Sequence, residues 1–222
     1  MNRLSEASEA LVIVAKYPEV GAVKTRLARF IGDERVCQLY VSFIRDLDEK
    51  FGCRHRPLFW AYTPPESDFP SLIEATHHCF PQEGSWLGER LLNIFRRLFQ
   101  QGFQRVAIMS SDSPHMLTEW TDEAFAALAE VDAVFAPAED GGYNLVGLKQ
   151  THDLFSGIAM STPRVLADTL ERARALGLSV HLLPTSFDVD EMEDVEKLRR
   201  FLAQNGEPLP HTREILRQIE KR

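Results

Sequence analysis

Three aspartates, Asp112, Asp188 and Asp190, have the residue type and the spacing that can bind a divalent cation. Asp112 follows the apolar segment Val106–Met109 in the string SSDSP, and ligands of open α/β sheets collect where strands end. Asp188 and Asp190 are two positions apart in the string FDVD, so an extended backbone places both carboxylates on one face. Carboxylate oxygens suit Mg²⁺ and Mn²⁺. Because one aspartate cannot hold such an ion alone, the sequence predicts a metal site of Asp112 with Asp188, Asp190 or both.

Each of these aspartates also has a purely structural interpretation. Asp112 could cap the turn that follows the strand. Asp190, followed three positions later by Glu193, has the spacing of a capping box for a helix that begins near Met192. The two interpretations differ in whether the carboxylates face backbone N–H groups or a shared cavity.

A basic segment follows the first apolar run and could bind phosphate. The string AKYPEVGAVKTRL leads from a strand, through a loop with proline and glycine, into Lys-Thr-Arg at a predicted helix start. N–H groups at a helix start attract anions, and Lys24 and Arg26 add positive charge. The glycine stands three residues before Lys24, so the string is not a Walker A loop, and a solvated basic helix start is the alternative. The candidate nucleotide-binding residues here are Ala15, Lys16, Gly21, Lys24, Thr25 and Arg26.

Two further segments contain residues suited to a ligand pocket. Gly88 and Arg90 open a predicted helix, where a cation is unfavourable unless it meets an anion such as phosphate. Asp140, Gly141 and Gly142 join two predicted strands, and adjacent glycines let the backbone approach a ligand closely. A tight hairpin turn would by itself also explain these three residues.

Short apolar segments alternate with amphipathic ones along the chain, and these elements must position the candidate residues. Short runs rich in β-branched and aromatic side chains predict strands at Ala10–Ala15, Pro57–Tyr62, His77–Phe80, Arg105–Met109, Ala133–Ala136, Tyr143–Leu148 and Ser179–Leu183. Helical periodicity predicts helices at Asp33–Lys50, Leu87–Gln101, Thr118–Ala129, Pro163–Leu176 and Met192–Gln204.

The alternation of strands and helices predicts a three-layer α/β/α fold with a mostly parallel sheet. Ala133–Ala136 and Tyr143–Leu148 are too close for a parallel crossover of about a dozen residues, so the sheet is expected to be mixed. We expect one domain over residues 1–222. A last helix at His211–Lys221 is expected to dock on that domain or on a second subunit, which makes a homodimer possible.

The composition limits the kinds of partner. A net charge of −8 and a pI near 5.4 argue against a general nucleic-acid or anionic-membrane surface. No apolar run reaches the roughly 18 residues that cross a bilayer, and the start of the chain does not resemble a signal peptide. The three cysteines include no C-x-x-C pair, so neither a zinc site nor a disulfide framework is indicated. The sequence therefore predicts a cytoplasmic protein without nucleic-acid or membrane partners.

Five strings of the chain, in order, resemble the motifs of a family of small bacterial proteins. They are AKYPEVGAVKTRL, QEGSWLGER at 82–90, SDSP at 111–114, PAEDGGY at 137–143, and DVD at 188–190 with Asp194. The family is that of the DUF2064-type glycosyltransferases, within the nucleotide-diphospho-sugar transferase (GT-A) superfamily. Any one string is a weak signal, but the ordered set covers most of the chain, and it implies a GT-A-like fold.

The resemblance implies roles that the residues alone do not assign. Asp112 is the counterpart of the acidic metal ligand of GT-A enzymes, although the second acid of a D-x-D is missing beside it. Asp140 is expected near the acceptor, as a catalytic base or a ligand of hydroxyl groups. Met160 stands where relatives have tryptophan, so the acceptor preference is expected to differ. The implied acceptor-binding residues are Gly141, Gly142, Tyr143, Asn144, Ser161 and Thr162.

These implications favour a transferase that depends on Mg²⁺ or Mn²⁺ and uses a nucleotide-activated donor. The leading hypothesis is transfer of a sugar from a nucleotide-diphospho-sugar to a small-molecule acceptor. Nucleotidyl transfer is an alternative, in which a phosphorylated substrate attacks a nucleoside triphosphate and pyrophosphate is released. A non-catalytic nucleotide-binding protein is the third possibility.

Overall fold

The computed structural model describes residues 7–206 and 208–220, and these residues contain one seven-stranded sheet. The strands are β1 (Glu9–Lys16), β2 (Leu58–Thr63), β3 (His78–Pro81), β4 (Arg105–Ser110), β5 (Ala133–Pro137), β6 (Tyr143–Leu148) and β7 (Val180–Leu182). Each of them overlaps a strand predicted from the sequence, with ends that differ by no more than one residue.

Seven α-helices lie in the described part of the chain. They are α1 (Thr25–Ile31), α2 (Asp33–Gly52), α3 (Leu87–Gln100), α4 (Thr118–Ala127), α5 (Val165–Ala175), α6 (Met192–Asn205) and α7 (Pro210–Glu220). Lys221, which the sequence places at the end of the last helix, lies outside the described residues. None of the helices in these ranges is both long and apolar enough to cross a membrane.

The sheet is mixed and mostly parallel, as predicted. Its strand order is β3-β2-β1-β4-β6-β5-β7. β6 runs antiparallel to both of its neighbours, β4 and β5, whereas the other neighbouring pairs are parallel. The short connection between β5 and β6 has no room for a crossover helix, which is why the chain reverses there.

Apolar layers cover both faces of the sheet. Along β1, Leu11 and Ile13 belong to one layer and Ala10 and Val12 to the other, as the alternation of side chains along a strand requires. The first layer is closed by α1, α2, α4, α6 and α7, and the second by α3 and α5. The three-layer α/β/α architecture is therefore confirmed, and the parallel strands β1, β2 and β4 end at the same edge.

The terminal helix α7 packs on α2 of the same chain. Asp46 of α2 accepts the backbone N–H of His211 at 3.0 Å and that of Thr212 at 2.7 Å. These are N–H groups that an isolated helix start leaves without partners. Leu216 of α7 adds a buried apolar contact.

Candidate functional site

A cavity of about 490 Å³ opens where β1 and β4 end. Its walls come from the loop after β1, the turn after β4, the strand β6, the start of α3 and the segment before α6. This edge is where open α/β sheets bind ligands. The predicted site residues on the wall are Ala15, Lys16, Lys24, Arg90, Asp112, Asp140, Gly142, Tyr143, Asn144, Ser161, Thr162, Asp188 and Asp190.

Five predicted residues are not part of the cavity wall: Gly21, Thr25, Arg26, Gly88 and Gly141. The Arg26 side chain is 71% exposed, and its Nη1 lies 3.6 Å from Glu191 Oε1. Gly88 is buried behind the wall, where an added Cβ would collide with the Trp86 ring. α1 has only seven residues. The prediction of phosphate binding therefore depends on the cationic side chains that reach the wall, and not on the backbone N–H groups at the start of α1.

Lys24 lies between two of the acidic residues. Its side chain is 4% exposed, and Nζ is 2.5 Å from Asp112 Oδ1 and 2.9 Å from Asp190 Oδ1. Burial by itself would lower the pKa of Lys24, but the two carboxylates raise it above the ordinary value, so the ammonium remains charged. The rings of Tyr40 and Phe43 lie 5.6 and 6.0 Å from Nζ, within the range of cation–π contacts.

Asp188 belongs to the same acidic cluster but is held by neutral donors. Its Oδ1 accepts hydrogen bonds from Ser113 Oγ and Asn144 Nδ2, each at 2.7 Å. Burial, followed by the charge of Asp112, raises the pKa of Asp188 to about 7. The amide nitrogen of Asn144 is thus occupied with a carboxylate, and its Oδ1 is buried without a hydrogen-bond partner.

The main chain joins the two acidic segments. Val189 N–H donates to the carbonyl oxygen of Asp112 at 3.0 Å, and Asp112 N–H donates to Ser110 Oγ at 3.0 Å. Val189 is fully buried, whereas Asp188 and Asp190 on either side of it line the cavity. The alternation inferred from the FDVD string is therefore present in the structure.

The alternative in which Asp190 and Glu193 form a capping box is wrong. Glu191 is the N-cap of α6, and it forms the box with Asp194. The physical reason is that the Asp190 carboxylate is paired with Lys24, so the next residue takes the capping position. Asp190 consequently faces the cavity rather than the helix.

Two residues of the wall have a left-handed backbone. Lys24 has φ 45° and Ser161 has φ 64°, and they are the only non-glycine residues with positive φ in the described ranges. This conformation costs roughly 1–2 kcal/mol per residue, and such strain concentrates at functional sites. At Lys24 the side chain points inward to the aspartates, although the residue sits at the exposed start of α1.

Sequence reasoning misses Tyr40 and Ser111, which support the loop after β1. Tyr40 Oη lies 2.7 Å from Ser111 Oγ and accepts the N–H of Lys16 at 3.2 Å. Burial, and then the charge of Asp112, raises the pKa of Tyr40. Tyr40 stands beside apolar residues of an amphipathic helix, a pattern that by itself indicates only a core position.

The segment Asp140–Gly142 forms a local turn at the rim of the cavity. Asp140 Oδ1 accepts the N–H of Gly142 at 2.9 Å, and the Asp140 residue is exposed. Gly141 has φ +90°, and a Cβ there would come within 2.1 Å of the Pro163 carbonyl oxygen. The turn therefore requires glycine at 141 for steric reasons alone. The Asp140 side chain also lies on the cavity wall.

A second cluster of possible metal ligands lies away from the cavity. Asp46, Glu49 and His211 are the only three such residues in the described part of the chain with ligand atoms within 4.8 Å of one another. Both oxygens of Asp46 accept backbone N–H groups at the start of α7. The cluster is therefore accounted for as a helix cap and a surface ion pair.

The side chains at the cavity suit a hard divalent cation in type. Asp112, Asp188 and Asp190 offer carboxylate oxygens, and Asn144 offers a buried amide oxygen that has no partner. All of these are oxygen ligands of the kind that Mg²⁺ and Mn²⁺ take. The position between Asp112 and Asp190 is held by the Lys24 ammonium.

Comparison with solved structures defines the class of fold. CMP:2-keto-3-deoxy-manno-octonic acid synthetase complexed with CTP is similar at a TM-score of 0.53 and 12% sequence identity, over 89% of this chain and 99% of that one. 4-Diphosphocytidyl-2C-methyl-D-erythritol synthase from Anaerococcus prevotii DSM 20548 is similar at a TM-score of 0.57 and 12% identity, over the same shares of 89% and 99%. At this identity the likeness concerns the fold alone. The chain shares the α/β fold of these two synthases.

Sequence comparison then places the chain within this class. The profile of a family described as an uncharacterized protein conserved in bacteria (DUF2064) matches residues 48–162, just over half of the chain. A protein from Desulfovibrio desulfuricans G20, provisionally assigned as a nucleotide-diphospho-sugar transferase, is 32% identical, with a TM-score of 0.87 over 96% of this chain and 98% of that one. No curated protein matches the sequence. The chain belongs to the DUF2064 family.

Proposed function

We propose that the protein is a transferase with a nucleotide-activated donor, and that it moves a sugar from a nucleotide-diphospho-sugar to a small acceptor. The observation that supports this most is the convergence of Lys24 with Asp112 and Asp190 inside a cavity at the ends of β1 and β4. A diphosphate and a divalent cation need this combination of positive and negative side chains. The 32% identical relative from Desulfovibrio desulfuricans G20 adds support through its assignment to the same class of transferase.

The cationic side chains of the wall would bind the donor diphosphate. Lys16, Lys24 and Arg90 all line the cavity. Lys16 Nζ donates to the Ala22 carbonyl at 2.7 Å and Arg90 Nε to the Gly84 carbonyl at 3.0 Å, both at exposed positions. A phosphate oxygen is a stronger acceptor for either cation than these neutral carbonyl groups are.

The acidic cluster would hold Mg²⁺ or Mn²⁺ against the diphosphate. Asp112, Asp188 and Asp190 are the proposed ligands, and the bound cation would neutralise charge on the departing nucleoside diphosphate. Ser113 and Asn144 fix the position of Asp188 through their hydrogen bonds. The protein's part in this step is to place the carboxylates.

Another part of the wall would receive the acceptor. Gly142, Tyr143, Ser161 and Thr162 line it. Asp140 at the rim is the proposed base that takes the proton from an acceptor hydroxyl as the new glycosidic bond forms and the bond from the sugar to the diphosphate breaks.

The experiment that tests this function measures both possible products. Purified protein is incubated with a panel of nucleotide-diphospho-sugars, and separately with nucleoside triphosphates plus sugar phosphates, with Mn²⁺ present. Release of nucleoside diphosphate with transfer or hydrolysis of the sugar supports the proposal. Release of pyrophosphate would establish nucleotidyl transfer instead, and nucleotide binding that is insensitive to Mn²⁺, without turnover, would indicate a non-catalytic protein.

Asp112→Asn is the variant that connects the activity with this cavity. We expect it to lower kcat/KM at least about 100-fold, because it removes a charged ligand of the metal that would neutralise the leaving group. Asp68→Asn is the matched control, since Asp68 is exposed, lies off the cavity wall and makes no side-chain cap bond. Equal activities of the two variants would place the chemistry elsewhere.

A further inference from the structure

A buried ammonium occupies the position that joins the two acidic segments of the cavity. Lys24 Nζ contacts the carboxylate after β4 and the carboxylate before α6, Asp112 and Asp190, at 2.5 and 2.9 Å. These two residues are far apart in the chain, and a shared cation is what holds their charges close together. No three ligand atoms of Asp112, Asp188 and Asp190 lie within 4.8 Å of one another. Asp112 and Asp190 therefore converge on the lysine ammonium, whereas Asp188 is held by Ser113 and Asn144.

Lys24 has an unusual backbone conformation that turns its side chain toward the two carboxylates. Its φ of 45° and ψ of 46° are left-handed, and its side chain is 4% exposed although the neighbouring Thr25 and Arg26 are exposed. A lysine at the start of a short surface helix would ordinarily extend into water. The unusual backbone and the loss of hydration are offset by the contacts with the two carboxylates.

A divalent cation cannot share this position with the ammonium. A metal bound between Asp112 and Asp190 would lie next to Nζ with like charge, and the two charges would repel each other at close range. The lysine must move before the metal binds. The place that would receive it is the diphosphate, whose oxygens are strong acceptors for an ammonium.

We propose that Lys24 is a displaceable internal counter-ion, which occupies the metal position of the free protein and moves to the diphosphate when donor and metal enter together. The diphosphate part of this inference rests on the proposed function. The consequence is that metal binding and diphosphate binding are coupled. A metal alone binds weakly because it competes with the lysine, whereas a metal that arrives with a diphosphate binds without this competition. The free protein thereby keeps its acidic cluster partly neutralised and assembled without metal.

The test is Mn²⁺ binding in the absence of any nucleotide, measured from the electron paramagnetic resonance signal of free Mn²⁺. Lys24→Met should bind Mn²⁺ at least about ten-fold more tightly than the wild type, because the competing charge is gone. Lys24→Arg, which keeps the charge, should bind no more tightly than the wild type. Lys16→Met is the matched control: it removes one positive charge from the same wall without touching the aspartates, and less than about a three-fold change is expected.

Equal or weaker Mn²⁺ binding by Lys24→Met, or an equal gain in Lys16→Met, would overturn the inference. Lys24→Met leaves two carboxylates to repel each other without a cation between them, and this variant could fail to fold. A measurement on the wild-type protein is therefore made as well. The side-chain ammonium NMR signal of Lys24, assigned by its proximity to Tyr40, should shift on addition of Mg²⁺ with a nucleoside diphosphate and stay in place with millimolar Mg²⁺ alone. An unshifted signal in a mixture in which the nucleoside diphosphate is bound, as shown by a calorimetric titration of the same sample, would also refute it.

The Mn²⁺ experiment is independent of the proposed function, because it contains no nucleotide. If Lys24→Met gains Mn²⁺ affinity but no donor is turned over, the counter-ion role stands and the transferase proposal fails. If donors are turned over but Lys24→Met gains no Mn²⁺ affinity, the transferase proposal stands and the counter-ion role fails.

Discussion

At the scale of single residues, the cavity is built from polar side chains whose partners lie on distant segments. Asn144 on β6 donates to Asp188 before α6, and Tyr40 on α2 contacts Ser111 after β4. Each contact lies where water is largely excluded, so an unpaired partner would cost more free energy than a surface hydrogen bond contributes. The cost of placing a polar or charged group away from water also decides the protonation state of a buried histidine near the cavity.

His115 is fully buried and does not line the cavity. Its Nε2 lies 3.1 Å from Ser186 Oγ, and its ring stacks on Phe187 with 3.9 Å between centroids. Burial, and then the charge of Lys50, lowers the pKa of His115 to about 3. Its Nδ1 is buried without a hydrogen-bond partner, so a second proton there has no acceptor. His115 is therefore a neutral core residue.

Acid should destabilise the protein through His115. Because its pKa is lower in the folded protein than in the unfolded chain, its contribution is complete above about pH 6.5 and is lost as the pH falls toward 3. At pH 4.5 the loss is about 2–3 kcal/mol of unfolding free energy, at 1.36 kcal/mol per pKa unit. His115→Phe keeps the stacking on Phe187 and should lack this part of the pH dependence. Urea unfolding at pH 7.5 and 4.5 measures it, and parallel changes in wild type and variant would contradict the assignment.

At the scale of elements, the attachment of α7 depends on a cap supplied by another helix. Asp46 of α2 accepts two backbone N–H groups of α7, whereas Glu49, one turn further along, pairs with His211 on the surface. The buried cap replaces the partners that a helix start lacks, and the exposed ion pair is screened by water. The two acids should therefore differ in their contribution to stability.

Asp46→Ala should lower the free energy of unfolding by about 1–2 kcal/mol, as the loss of a helix cap does. Glu49→Ala, which also replaces an acidic side chain of the same helix by alanine, should cost less than about 0.5 kcal/mol. Urea unfolding of both variants, with hydrogen exchange of α7 amides, makes the comparison. If Glu49→Ala costs as much as Asp46→Ala, the surface pair and not the cap attaches α7.

At the scale of the whole molecule, the cavity wall draws on segments from both halves of the chain and on several strands of one sheet. A ligand that fills it should therefore stabilise the entire sheet and not one loop. A cognate nucleoside diphosphate with Mn²⁺, at about 100 times its Kd, adds about 2.7 kcal/mol, which raises Tm by roughly 5–10 °C for a protein of this size. Calorimetric unfolding provides the measurement. An equal rise with the free nucleoside would show that the diphosphate is not recognised.

The elements of the fold could be predicted from the sequence almost to the residue. All seven strands of the described chain match predicted apolar runs, because strand formation follows the local pattern of apolar and β-branched side chains. The reversal at β6 was also predictable, since a short connection cannot cross over a sheet. The extent of α1 was not, because a seven-residue helix with an exposed surface has too little periodicity to be recognised.

The sequence by itself determined the elements, the mixed sheet and the acidic and basic residues near the strand ends, since these depend on spacing within a few residues. Only the tertiary structure decided that Lys24 joins Asp112 to Asp190, that Asn144 binds Asp188, and that Arg26 and Gly88 lie off the wall. The Lys24–Asp190 contact spans 166 positions of the chain. Contacts of this kind depend on how the layers pack against one another, and no local pattern of side chains encodes them.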